Sequence, residues 1–370
     1  MRPTIAKINR SNLKYNFLNI RKRVKKTKVM AIVKADAYGH GMVECVKTLL
    51  SLDDKKPDYY AVALLEEAVE FRKAQFRSPV LVFAPPLKEE VPEFIKHKLL
   101  PTVFTEEHLE NFRSFAKDKK VRIHIKIDTG MGRLGVNFKD AVDFIKKVSL
   151  DKQFIIDGIY THFATSDEAD KSFALKQLER FKAVVDQLKA EKINYGLAHA
   201  ANSGAILDMP EAYFDMVRPG IILYGYYPSS ETSESIKLKP VMSIVSSIAS
   251  IREVEAGQSV SYGRKFIAGK KTRIASAPIG YADGYQRGLS NRVDVIIKGK
   301  KYPQVGQVCM DRIMFDIGLN ANIKENDEVI LLGKSKGSEI SAADWAKVLN
   351  TIPYEITCNI SKRVPRIYTE

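Results

Sequence analysis

Eight apolar runs of strand length, separated by segments with helical spacing, fill the chain from Val29 to Gly225 and constrain its fold more than any other feature. They are "VMAIVKA" from Val29, "YYAVAL" from Tyr59, "PVLVFA" from Pro79, "LPTVFT" from Leu100, "VRIHIKI" from Val121, "IIDGIYTHF" from Ile155, "INYGLAHA" from Ile193 and "DMVRPGIILYG" from Asp215. Segments such as "LLEEAVEFRKAQF", "EEHLENFRSFAKD", "FKDAVDFIKKV" and "KSFALKQLERFKAVVDQLKAEK" carry apolar residues at helical spacing between them. Strand and helix in strict alternation predict a (β/α)8 barrel of the TIM type, whose usual length is roughly 250 residues. The polar stretch "YYPSSETSESIKLKP", Tyr226 to Pro240, reads as a linker. Beyond it, "VMSIVSSIASIREV", "TRIASAPIGYA", "NRVDVIIKG", "YPQVGQVCMDRIMFDIG" and "DEVILLG" are short alternating runs broken by glycine and charge. That texture predicts a mostly antiparallel β domain, interrupted by one short helix, "SAADWAKVL", with a Ser341/Asp344 capping-box spacing. The expected division is a barrel over 1–230, with its extreme N-terminal strand free to pair elsewhere, and a β domain over 231–370.

Chemistry in such a barrel is expected at the C-terminal ends of the strands. The first barrel strand ends at Lys34, after which "ADAYGHG" breaks the run. A lysine there is either a surface ammonium paired with Asp36 or a desolvated amine whose lowered pKa makes it a nucleophile for an aldehyde cofactor. The fifth strand, "IHIKIDTGMGRLG", sets Lys126 and Asp128 on alternate sides of its end, with Arg133 just beyond. The sixth offers His162, the seventh His199, Asn202 and Ser203, and the eighth Arg218 followed by Gly220 and Ile221. Asn202, Ser203 and the backbone at Gly220 are small donors where barrels of this kind hold a phosphate. A phosphorylated aldehyde, pyridoxal phosphate, fits both halves of that pattern. Gly130, Gly132 and Gly135 match a dinucleotide G-x-G-x-x-G string, but on the fifth strand, around a bulky arginine, and without the acidic strand end that should follow. They are read as tight-turn glycines.

Composition narrows the remaining classes. A formal charge of +15 invites a polyanion partner, yet the lysine clusters "KKTK", "KDKK" and "KGKK" lack interleaved aromatics and read as solvated faces, so no nucleic acid is expected. Cys45, Cys309 and Cys358 form neither a CxxC pair nor an even set, and the six histidines form no H-x-x-x-H pair. No metal is expected. No apolar run is long enough for a signal peptide or a membrane span, so a cytoplasmic protein is expected.

"AIVKADAYGHG", "IKIDTGMGRLG", "THFA", "HAANS", "VRPG", "SYG", "IGYADGY", "QVCMD" and "RVPRIY" occur in an order and spacing that resembles the alanine racemase family over nearly the whole chain. The resemblance implies a pyridoxal-phosphate racemase of L- and D-alanine that supplies D-alanine for peptidoglycan, built as a homodimer with active sites shared between subunits. It implies Lys34 as the cofactor lysine and one catalytic base, and Tyr262 as the base on the opposite face, reaching in from the other subunit. Arg218 resembles the donor to the pyridine nitrogen, His162 its link to the tyrosine, and Arg133 the contact to the cofactor's phenolic oxygen and the substrate carboxylate. Tyr38, Ser203, Gly220, Ile221 and Tyr354 match the phosphate set. Lys126 matches a lysine often carbamylated to hold Arg133, Met310 a substrate contact, and Asp167, Tyr281 and Arg287 the gate and entry corridor. The chain departs from the family pattern at Lys7 and Asn9, where acidic residues are common, and at Arg312, where glutamine is usual.

Two bases on opposite faces are what inversion at carbon requires, and a tyrosine can serve as one only where positive charge favours its phenolate. Arginine at the pyridine nitrogen keeps that ring a weaker electron sink than a carboxylate partner would, which limits side reactions such as transamination. Racemisation of serine or another amino acid, decarboxylation on a similar scaffold, and a basic binding protein with a decayed site are the competing readings.

Overall fold

The computed structural model describes residues 3–117 and 119–370. Its first strand, β1 (Ile5–Asn9), lies outside the barrel: it pairs antiparallel with β11 (Met242–Ser247) and parallel with the C-terminal β21 (Arg366–Thr369). Lys7, one of the departures noted above, pairs with Glu328 at 2.9 Å on the second domain. Asn9 accepts the Asn12 amide at 2.7 Å and so caps the helix Arg10–Val24.

The eight apolar runs become the parallel strands β2 (Lys28–Ile32), β3 (Tyr59–Val62), β4 (Val80–Val82), β5 (Leu100–Val103), β6 (Val121–Asp128), β8 (Phe154–Tyr160), β9 (Leu197–His199) and β10 (Met216–Val217). They pair in the order β10-β2-β3-β4-β5-β6-β8-β9, with the short β7 (Val136–Asn137) beside β6. The ring closes between β9 and β10 through single contacts: Asp215 N–H to the Ala198 carbonyl at 3.0 Å and Arg218 N–H to the Ala201 carbonyl at 2.9 Å. Strands covered on both faces need near-continuous apolar sequence, which these have. Helices pack outside; Ser172–Ala190 turns Ala174, Leu178, Phe181, Val185 and Leu188 inward at intervals of three and four. The expected alternate siting of Lys126 and Asp128 is corrected here. Two residues apart on β6, they share one face, because strand side chains repeat every second position.

The second domain has one mixed sheet, β17-β16-β19-β11-β1-β21, and a three-stranded antiparallel sheet, β12-β15-β18. These strands are β12 (Ser250–Val254), β15 (Thr272–Ala277), β16 (Asp294–Ile297), β17 (Lys300–Pro303), β18 (Ile313–Asp316) and β19 (Glu328–Ser335), with β20 (Ser338–Ile340) against β19. β13 (Ser259–Val260) and β14 (Phe266–Ile267) make a separate hairpin-like pair. The expected helix is Ala342–Leu349, with the Ser341/Asp344 capping box formed. A second helix in this domain, Pro353–Cys358, was not expected; it is short, and its one start signal is Pro353 at the first helical position. Among the described residues no helix is long and apolar enough to cross a membrane.

Trp345 is the largest fully buried side chain and meets Tyr285 edge-on with centroids 4.9 Å apart. Trp345→Ala should lower stability to denaturant by about 3–5 kcal/mol, and Ser341→Ala, which removes only the cap, by about 1 kcal/mol.

Candidate active site

The first barrel strand ends at Ile32, and just beyond Lys34 the chain does something L-residues rarely do. Ala35, Asp36, Ala37 and Tyr38 all have φ between 51° and 54° and ψ between 40° and 50°, one turn of left-handed helix. Each such residue costs about 1–2 kcal/mol, so the turn needs outside support. Glu67 accepts the Ala35, Ala63 and Leu64 amides, and Asp36 accepts the Met42 amide at 2.7 Å. The C-terminal strand supplies the rest: Arg366 Nε donates to the Gly39 carbonyl at 3.1 Å and Tyr368 OH to the His40 carbonyl at 3.3 Å. At Gly39 (φ +82°) a Cβ would lie 2.2 Å from the Thr357 carbonyl oxygen.

This turn sets where Lys34 points. Among the described residues no Lys34–Asp36 ion pair forms; Asp36 Oδ1 accepts the Met42 amide instead. Burial lowers the Lys34 pKa, Arg133 lowers it further, and Glu67 opposes both. Lys126, buried at 4 % exposure, is pushed down to about 8, first by burial and then by Arg133 and Arg218, with nearby Asp128 raising it. His162 is held neutral by burial and by the positive charge of Arg218, Lys126, Arg133 and Lys34. These five cationic or potentially cationic groups therefore lie within electrostatic reach of one another at one barrel mouth. Asp128, meanwhile, accepts the Gly130 amide at 2.9 Å and the Gly132 amide at 3.1 Å. Gly130, Gly132 and Gly135 all have positive φ, so the string is a tight loop that presents an exposed Arg133.

Arg218 is 3 % exposed and pairs with no carboxylate among the described residues. Its Nη1 donates to His199 Nδ1 at 2.8 Å and to the His199 carbonyl at 2.9 Å. Nη2 donates to the carbonyls of Thr161 (2.6 Å) and Ala200 (2.9 Å), with His162 Nδ1 at 3.4 Å. The guanidinium lies over the Tyr160 ring at 5.3 Å, and Lys126 Nζ over the same ring at 5.7 Å.

A second cluster is the tightly packed group of Tyr38, Ser203, Gly220 and Ile221. Gly220 N–H donates to Ser203 Oγ at 2.9 Å, and a Cβ on Gly220 would stand 2.6 Å from Tyr38 OH. Tyr354, on the unexpected helix, has its ring 5.8 Å from that of Tyr38 and lies within electrostatic reach of Asp167. Ile221 opens the short turn Ile221–Tyr224 directly after Gly220. Asn202 supports the scaffold instead, since its Oδ1 caps the helix Ser203–Asp208 through the Ala205 amide and accepts Ser166 Oγ.

The other predicted residues lie elsewhere. Tyr262 is 71 % exposed and shares a hollow with Arg252, Cys309, Met310 and Arg312, all on the β domain. The backbone around it is strained, with φ of 70° at Ser261 and 50° at Arg264, and Ser261 Oγ is tied to the Gln307 carbonyl at 2.6 Å. Tyr281 donates its amide to the Cys309 carbonyl, so Tyr262, Tyr281 and Met310 stand on neighbouring segments, all exposed; Arg287 is exposed further along. Within one chain Lys34 and Tyr262 belong to two separate surfaces.

Sequence reasoning missed three contributors. Glu67 and Arg366 act only through the left-handed turn. His124, 0 % exposed, lies 3.0 Å from His199 behind Arg218, and the alternation Arg122-His124-Lys126-Asp128 along β6 was a legible sign of a polar barrel interior.

Fold and mouth together define a class: a barrel enzyme with a desolvated lysine and a buried arginine at its C-terminal face, closed from behind by a second, β-rich domain. Residues 8–228 match the family model for the alanine racemase N-terminal domain, and residues 241–368 that for the C-terminal domain. An alanine racemase of Halothermothrix orenii is 43% identical over 99% of this chain and 97% of its own length. A solved alanine racemase of Clostridium difficile superimposes with a TM-score of 0.93 at 39% identity, over 100% of this chain and 96% of that one. One from Bacillus anthracis with bound L-Ala-P gives a TM-score of 0.92 at 32% identity, over 100% and 96%. The chain belongs to the alanine racemase family.

The depressed Lys126 has a sign-definite consequence. The unfolded chain binds more protons at this site between pH 8 and 10.5, so stability rises with pH across that window. In carbonate-free buffer, wild type should gain on Lys126→Met by on the order of 3 kcal/mol between those two pH values, read from denaturant unfolding.

Proposed function

We propose that the protein interconverts L-alanine and D-alanine with pyridoxal phosphate, Lys34 acting on one face of the amino acid and Tyr262 of a second copy on the other. The observation that carries this reading is the desolvated lysine and the carboxylate-free arginine facing one mouth, in a chain that follows alanine racemases over its whole length. We further read the chain as dividing near residue 230 and as a cytoplasmic source of D-alanine for peptidoglycan.

The residues fit the cofactor. Both terminal nitrogens of Arg218 are spent on protein acceptors, while Nε meets no acceptor among the described residues; a ring nitrogen is an acceptor it could serve. Tyr38 OH, Ser203 Oγ and the Gly220–Ile221 backbone are the short polar groups that would hold the cofactor's phosphate, and the absence of a Cβ at residue 220 is what lets Tyr38 OH come so near that backbone. When bound, pyridoxal phosphate supplies the electron sink that makes the α-proton of an amino acid acidic.

The protein's own groups do the rest. Lys34, held by its turn and lowered in pKa, is an amine suited to take and return a proton. Arg133 is the cation that Lys34 feels most strongly, and it orients a substrate carboxylate. The neutral amine of Lys126 can add to carbon dioxide, releasing a proton and gaining a carboxylate, which turns a like-charge clash with Arg133 into an ion pair. A decarboxylase would be expected to set a carboxylate at the ring nitrogen; the group that would meet it here is the buried Arg218.

Tyr262 needs a second subunit. Tyr262, Met310 and Tyr281 are 71 %, 53 % and 42 % exposed on adjacent segments, a face that a symmetric copy would cover while bringing Tyr262, Met310 and the gate residues Tyr281 and Arg287 to a mouth that already holds the gate residue Asp167.

Incubation with L-alanine and pyridoxal phosphate in heavy water should give deuterated D-alanine, and borohydride should fix the cofactor on Lys34; absence of either overturns the reading. Tyr262→Phe should abolish turnover in both directions. Mixing inactive Lys34→Ala and Tyr262→Phe chains should restore about a quarter of wild-type activity, since random exchange makes half the dimers mixed and each has one intact site.

A further inference from the structure

Barrel interiors are usually filled with layers of branched apolar side chains. This one contains a line of polar groups that crosses it from floor to mouth. Arg218 Nη1 meets His199 Nδ1 at 2.8 Å, His199 Nε2 meets His124 Nδ1 at 3.0 Å, and His124 Nε2 meets Asp157 Oδ2 at 3.2 Å. At the floor, Asp157 also takes Arg122 Nε at 2.8 Å and Tyr59 OH at 3.2 Å. Both histidines are 0 % exposed.

The direction of every proton in this line is fixed by its ends. Arginine can only donate, and an ionised carboxylate can only accept. His199 Nδ1 must therefore be bare, which puts its hydrogen on Nε2; His124 Nδ1 must then be bare, which puts its hydrogen on Nε2, aimed at Asp157. A second proton on either ring would set N–H against N–H. Burial also lowers the pKa of both histidines, while Asp157 is lowered to about 2 by His124 and Arg122 against the opposing effect of its own burial.

The backbone is built around this line. β6 and β8 shift register between Ile123 and His124, and Gly158 opposes His124 at the shift. A Cβ on Gly158 would stand 2.7 Å from His124 Cε1, so the glycine makes the room that the ring occupies. Tyr160 stacks on His199 at 5.0 Å with the planes 9° apart, which fixes the second ring.

We propose that Asp157, on the barrel floor, is a positioning residue for the chemistry: by accepting from His124 it anchors the two-imidazole line on which the buried Arg218 guanidinium is seated. What the line does for catalysis rests on Arg218 serving the cofactor's ring nitrogen; the proton arrangement itself does not. Losing the floor carboxylate leaves the His124 Nε2 hydrogen without its acceptor and the ring without its anchor, so both imidazoles can turn and the seat of Arg218 loosens.

Two measurements test this separately. In wild-type protein without cofactor, nitrogen NMR of labelled histidine should find His124 and His199 as neutral Nε2–H rings at neutral pH. An Nδ1–H tautomer or an imidazolium at either site overturns the proposal, whatever reaction the enzyme performs. In protein loaded with pyridoxal phosphate, Asp157→Ala and His124→Leu should shift the absorbance of the bound cofactor and lower kcat roughly tenfold with KM little changed. His124→Gln, whose amide can donate to Asp157 and accept from His199, should restore both. Wild-type absorbance and kcat in folded His124→Leu would overturn the proposed role.

Discussion

Four successive residues in the left-handed region make a turn that cannot hold itself, and the site depends on what holds it. Lys34 immediately precedes this turn, so its direction is settled by contacts that Ala35 through Tyr38 do not themselves make. Glu67 supports the turn from the barrel, and Arg366, Tyr368 and Thr357 support it from the far end of the chain. Arg366 is well suited: its remaining nitrogens are anchored on the carbonyls of Ile360, Ser361 and Val364, so it ties Gly39 to a rigid segment. The strand carrying Arg366 and Tyr368 lies beside β1, which leads directly into the first barrel helix. Both chain ends thus meet behind the lysine, and the β domain acts as the clamp of the barrel's first loop.

The same economy of contacts explains the electrostatics. Lys34, Lys126, Arg133 and Arg218 gather at one mouth with few anions to offset them. Mutual repulsion and burial lower the lysines, whereas Arg218 stays a cation because its donors are matched by carbonyls and by bare imidazole nitrogens. The carboxylate of an amino acid and the phosphate of the proposed cofactor are the kinds of anion that would balance such a mouth.

Much of this was legible beforehand. The eight barrel strands follow from apolar runs that need no alternation when both faces are covered, and the helix Ala342–Leu349 from its capping box. Lys34 and Arg218 stood out because a charge at the end of an apolar run has a burial cost that something must offset. The left-handed turn was not legible, since Ala-Asp-Ala-Tyr contains none of the glycine that normally announces positive φ and is kept there by Glu67 and by residues at the far end of the chain. The role of Asn202 as a cap and the helix carrying Tyr354 were missed for a related reason: in short segments, tertiary contacts outweigh local preference. Lys126 and Asp128 were set on opposite sides although strand periodicity alone puts them together.

The polar line through the barrel changes how its underside should be regarded. In most barrels of this architecture the floor is scaffold, and only the rim carries function. Here Arg122, half in solvent, touches Asp157 and is thereby three imidazole and carboxylate groups from the guanidinium at the rim. An inhibitor seated on that underside could disturb the reaction without ever competing with the amino acid, which gives this fold a second door for chemical intervention.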